Sequence, residues 1–139
     1  MCWADLTEAG DVLARGETMS VVSLIPMAFV KSITRSVAFY GKLGFVVSHS
    51  HTPDGRAEPV WVSLQSGSAH LMLSEATAPI DPREQAILFY VYSKDVVAFR
   101  TTLLEAGVDA GVMNHPFWAQ GGEFRVTDPD GYTLLVTHT

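Results

Sequence analysis

The chain of 139 residues carries one cysteine, Cys2. A single thiol excludes an intrachain disulfide framework and a cysteine zinc cage. Lysine and arginine total 9 and never cluster, so no basic patch is available for a phosphate backbone and nucleic acid is not an expected partner. No apolar run approaches the roughly 20 residues that a membrane-spanning helix needs, so no membrane partner is expected. The opening stretch MCWADLTEAGDVLARGETMS is acidic and lacks the basic-then-apolar layout of an export signal, so a cytoplasmic protein is expected. Also missing are a phosphate-cradling glycine loop, a G-x-S-x-G elbow and a plausible cysteine nucleophile.

What remains is rich in core material. Hydrophobic residues make up 47% and charged residues 17%, a balance that argues against disorder, and the length suits one domain with a core that needs no staples. The net charge is −6, half of it in the first 19 residues. Such mild acidity serves solubility and weakly favours a cationic ligand over an anionic one.

The chain also repeats itself. Shifted by 63 residues, Ile25 falls on Leu88, Ile33 on Val96, Tyr40 on Leu103, Trp61 on Phe124, and the triplet at 71–73 on that at 134–136. Gly44 falls on Gly107. The unbroken offset points to duplication. Each half reads as strand, helix and three strands. The first half predicts a strand over 23–30, a helix capped by Ser32 or Thr34 and stopped at Gly44, then strands near 44–50, 59–65 and 68–74. The second predicts a strand over 86–93, a helix over 95–106, and strands near 108–113, 122–127 and 132–138. The expected fold class is α+β, two tandem βαβββ modules (about 22–75 and 86–138) forming a cupped mixed sheet. They make one domain over 21–139, joined by a proline-containing, charged linker at 77–85. Residues 1–20 form an extension, a short helix or a disordered lead.

Both faces of the first strand of each module are apolar. Ile25, Met27 and Phe29 share one face, and Leu88, Tyr90 and Tyr92 share its counterpart. The helices can cover one face only, so the other must meet a second subunit, the other half of the chain, or a ligand.

The segments FVKSITRSVAFYGKLGF (29–45) and WAQGGEFRVTDPDGYTLLV (118–136), in this order on a duplicated frame, resemble the vicinal oxygen chelate superfamily, the glyoxalase, bleomycin-resistance and extradiol-dioxygenase fold. That resemblance implies the fold more than the chemistry, because the superfamily includes isomerases, dioxygenases, epoxide-opening transferases and drug binders. Its enzymes hold a divalent metal with His or Glu from the first and last strands of each module. The matching positions here are Ile25, Met72, Leu88 and Leu135, none of them a ligand for a hard metal. The resemblance thus favours a metal-free binder of the bleomycin-resistance type with no cofactor, an antibiotic-resistance role and a homodimeric cleft for an aromatic ligand, cationic in one version.

Phe29, Tyr90 and Tyr92, with Met27 and Met72, would line the pocket. His70 shares the face of Met72 and could touch the ligand or act as an acid–base group, or simply bond a neighbour at a strand edge. Phe117 and Trp118 sit where metal-free relatives place an aromatic loop facing the ligand, and an exposed loop packing on a partner subunit reads equally well. Glu123 either meets a cationic group or lies outward. Asp128-Pro129-Asp130-Gly131 reads as a hairpin turn rather than a cation loop, with Pro presetting φ and Gly taking positive φ. Two alternatives stay open. One is a glyoxalase- or dioxygenase-type enzyme with metal held among His49, His51, His70 and His115. The other is a dimeric module with no small ligand.

Overall fold

The computed structural model describes residues 20–139; the expected extension lies, Ser20 apart, outside the described residues. The order is β1 (Met27–Val30), α1 (Ile33–Lys42), β2 (Val46–His51), β3 (Trp61–Ser66), β4 (Ala69–Glu75), β5 (Leu88–Ser93), α2 (Val96–Glu105), β6 (Glu123–Thr127) and β7 (Thr133–His138), with a 3-10 turn at Pro82–Glu84 in the linker. Ser32 caps α1 by accepting from the Arg35 amide at 3.2 Å, and Asp95 caps α2 by accepting from the Ala98 amide at 3.0 Å. The helices stop at Gly44 and Gly107, both at positive φ.

The strands form two mixed sheets, β1-β4-β3-β2 and β5-β7-β6. In each, the first strand runs parallel to the last, and the remaining pairs are antiparallel. The duplication shows in the register: Met27 stands level with Met72, and Tyr90 with Leu135. The helix-facing sides of both sheets share a single core, in which Val30, Tyr40, Leu73, Leu103, Leu134 and Val136 are almost wholly buried. Burial of this kind is worth roughly 1.5–3 kcal/mol per large side chain.

The structure departs from the sequence expectations at three places. β1 begins at Met27 rather than 23, because Pro26 has no amide hydrogen for the ladder; its carbonyl still accepts from the Met72 amide at 3.0 Å. The segment 108–113 forms no strand. Gly111 and Asn114 bond β6, but the Ala110 amide turns back to the Val108 carbonyl and the Arg100 guanidinium takes the Gly111 carbonyl at 2.7 Å. A side chain there does what a ladder would. Third, Trp61 does not match Phe124. Trp61 pairs with Ser74, while Thr137, the counterpart of Ser74, pairs with Glu123. The closing turn of the second module is one residue longer than Gly67-Ser68 of the first, and this slips β6 by one place.

The longer turn confirms the hairpin reading of Asp128–Gly131, with Gly131 at φ 88°, and it reaches into the other module. Asp128 accepts from the amides of Asp130 and Tyr132, each at 2.8 Å, and from the Tyr40 hydroxyl at 2.8 Å. Asp130 accepts from the Lys31 amide at 3.0 Å, from the Arg35 guanidinium at 3.2 Å and from the Ser36 hydroxyl at 3.4 Å, all at the start of α1. A carboxylate there also meets the positive end of the helix. Both acids are buried, Asp128 at 4% and Asp130 at 1% exposure. Burial pushes the Asp128 carboxyl above its ordinary range, against hydrogen bonds from Tyr40 and two amides that hold it down. Burial and the neighbouring Asp128 raise the Tyr40 phenol far above its own range. These acids therefore latch the modules together by hydrogen bonds to protein groups.

Candidate functional site

Alternation along the strands decides what the sheets present away from the helices. From the first sheet come Met27 and Phe29, with His70, Met72 and Ser74 on β4 and Trp61 and Ser63 on β3. From the second come Leu88, Tyr90 and Tyr92, with Leu135 and Thr137 on β7. Within one subunit much of these faces is uncovered: Met27 is 45% exposed, Phe29 50%, Leu88 52%, Tyr90 49% and Tyr92 65%, while Thr137 at the far end is buried. The rings of Tyr90 and Tyr92 lie nearly parallel, 6.2 Å apart at 26°, as a flat platform.

The structure brings the expected ligand residues together in groups. Phe29, His70 and Met72 share the outer face of the first sheet, and Tyr90 and Tyr92 that of the second. His70 and Tyr90 also both line a cavity of about 220 Å³ between the modules, with Pro26, Ala69 and Leu88. Phe117 and Trp118 pack edge to face on each other, centroids 4.9 Å apart, and are 84% and 61% exposed. Among the described residues, no ring contact joins this pair to Phe29, Tyr90 or Tyr92. Glu123 is buried at 9% exposure and accepts from the Thr137 hydroxyl at 2.9 Å, so its carboxylate is engaged within the sheet. Trp61 escaped the sequence reading. Its signal was the alternation of Trp61, Ser63 and Gln65 with the buried Val62 and Leu64.

The positions that match metal ligands in the resemblance fall on these outer faces or at their ends. Met72 and Leu135 sit on β4 and β7, Leu88 opens β5, and Ile25 precedes β1. They offer three aliphatic side chains and one thioether. A Lewis-acid metal centre needs oxygen or imidazole donors, so this set does not fit one. The histidines lie at positions apart from this set. His49 and His51 lie on the edge strand β2, His70 lies near the start of β4, and His115 shares a hydrogen bond with the Gln120 carbonyl at 2.9 Å. Among the described residues, no three His, Cys, Asp or Glu side chains stand close enough to hold an ion together. No helix among them is long and apolar enough to cross a membrane.

The family model of the glyoxalase/bleomycin resistance protein/dioxygenase superfamily matches residues 22–136. No curated protein sequence matches the chain. Among solved structures, the chain is similar to a bleomycin-binding protein complexed with bleomycin, at 20% identity and TM-score 0.67, over 86% of this chain and 99% of that one. It is similar to TnmS3, an antibiotic binding protein from Streptomyces sp. CB03234, at 19% identity and TM-score 0.69, over 87% and 98%. It is also similar to FosX, a fosfomycin resistance protein from Listeria monocytogenes complexed with Mn(II), at 15% identity and TM-score 0.64, over 87% and 93%. At these identities the likeness is one of fold.

Proposed function

This chain belongs to the glyoxalase/bleomycin resistance protein/dioxygenase superfamily, and we propose that it is a metal-free small-molecule binder of the bleomycin-resistance type. It works as a homodimer whose outer sheet faces, one from each module, enclose an aromatic, cationic ligand. One observation carries this reading: the faces where enzymes of the fold hold metal present Met27, Phe29, Tyr90 and Tyr92 half-exposed, and no hard donor stands at the matching positions.

Apolar surface left open on this scale marks an interaction site. Each Å² removed from water contributes roughly 25 cal/mol. A second subunit covers part of the faces and a flat ligand covers the rest, with the Tyr90–Tyr92 platform under its ring. The ring faces attract a cation, and the chain's negative charge works in the same direction. Sequestration needs no catalytic group; burial and stacking supply the affinity. The fold likeness to a bleomycin-binding protein and to an antibiotic binding protein supports the same class of ligand.

The test is a calorimetric titration of bleomycin and a panel of planar, cationic antibiotics into protein held in excess chelator. At least one compound should saturate near one site per chain, and Tyr92→Ala should weaken it at least tenfold. A panel that gives no binding, or binding that requires added metal, would overturn the reading.

A further inference from the structure

The repeat relates two junctions between the modules, and they are filled differently. At the first, the free edge of β1 meets the β6–β7 turn. The Val30 carbonyl accepts from Ala76, so Ala28 and Val30 turn their backbones toward β4 and Phe29 turns its carbonyl to the open edge. Tyr132 fills that edge. Its hydroxyl donates to the Phe29 carbonyl at 2.9 Å and its ring lies 5.8 Å from that of Phe89.

At the second junction the free edge of β5 meets the β3–β4 turn. The Ser93 carbonyl accepts from Thr139 as that of Val30 does from Ala76, which gives Tyr92 the place of Phe29 and leaves its carbonyl on the open edge. The shared register of β1 with β4 and of β5 with β7 puts Ala69 where the first junction has Tyr132. A methyl group cannot span the gap that a phenol spans. Beside Ala69 lie the cavity of about 220 Å³, with Pro26, Phe45, Phe89 and Val91 among its walls, and a second of about 210 Å³ that reaches Tyr92 and Phe99. Packing records the same difference. On β1, Ala28 and Val30 are 3% and 0% exposed, whereas their counterparts on β5, Val91 and Ser93, are only partly buried.

We propose that the gap beside Ala69 is a second binding site, for a phenol-sized aromatic ligand with one hydrogen-bond donor, seated as Tyr132 is seated in the sister junction. Its ring lies between Pro26 and Phe45, and its hydroxyl donates to the Tyr92 carbonyl. An apolar cavity of about 150 Å³ is enough to hold benzene, so the volume suffices. Its deep wall is made of helix-facing side chains such as Phe45, Phe89, Val91 and Leu134, while His70, Leu88 and Tyr90 are shared with the outer faces, so the two sites adjoin.

The test is NMR titration of the full, isotope-labelled chain with phenol, and in parallel with toluene, which has the ring but no donor. Phenol should give saturable amide shifts centred on Ala69, Val91 and Tyr92, with a dissociation constant on the order of 1 mM. Toluene should bind at least threefold more weakly. Ala69→Tyr should abolish phenol binding and raise the melting temperature. Ala69→Leu, a smaller plug, should weaken phenol at least fivefold and serves if the tyrosine variant does not fold. Shifts confined to Phe29, Met72 and Trp61, equal binding of toluene, or unchanged phenol binding in a filled variant would each overturn the proposal. Any of these results leaves the outer-face reading standing, since that rests on titration of the parent chain.

Discussion

The two junctions between the modules descend from one repeat, yet one is latched and the other open. Their turns differ by a residue: Pro129-Asp130-Gly131 closes the second module where Gly67-Ser68 closes the first. That residue gives the longer turn its reach to the start of α1, where Asp130 meets Lys31, Arg35 and Ser36. Asp128 then has Tyr40 to bond, whereas its counterpart Ser66 faces a helix that offers Phe99 and Leu103 in place of Ser36 and Tyr40. A duplicated frame can thus divide its labour, with one junction carrying stability and the other left free to take a ligand.

The largest expected effect breaks the latch. Asp128→Ala removes the acceptor for two amides and a buried hydroxyl, and should cost about 3–5 kcal/mol, since each stranded donor costs roughly 1–3 kcal/mol. Ser66→Ala at the open junction should stay within about 0.5 kcal/mol. Urea unfolding of the two variants measures the contrast, and equal losses would erase it.

A smaller and more specific effect comes from Tyr40→Phe, which leaves the Asp128 carboxylate one donor short and should cost about 1–3 kcal/mol at neutral pH. The folded phenol titrates far above its unfolded value of 10.0. Its contribution to stability is therefore fully present below pH 10 and lost as pH rises beyond it, because the unfolded chain ionises first. Unfolding followed from pH 9 to 11 should show the parent losing stability more steeply than the variant. Parallel slopes would mean that burial and Asp128 do not hold the phenol neutral.

Much of this was legible in the sequence, and the losses have causes. Apolar periodicity marked both helices, and the 63-residue shift anticipated that the modules are built alike, as the equivalent pairs Met27 with Met72 and Tyr90 with Leu135 are. The shift failed at Trp61 because one inserted residue in a turn moves a whole strand by one place and reverses its faces. Asp128 and Asp130 were readable as a turn but not as a latch, since Tyr40 is 88 residues from Asp128 in sequence and no local pattern pairs them. The segment at 108–113 reads as a strand; only the Arg100 guanidinium, arriving from α2, shows why it forms no continuous ladder beyond the single Gly111 bond to β6. The outer faces were foreseen from Phe29, Tyr90 and Tyr92. The open junction was not, because a cavity is defined by a missing side chain, here that of Ala69 against Tyr132.

The central claim is that the scaffold binds without metal. Elemental mass spectrometry on untagged protein, grown in metal-supplemented medium and purified without chelator, tests it most directly. The outer faces described here predict transition metal well below one atom per chain. A value close to one would contradict the reading of Ile25, Met72, Leu88 and Leu135, and would return the histidines and an enzymatic role to the centre.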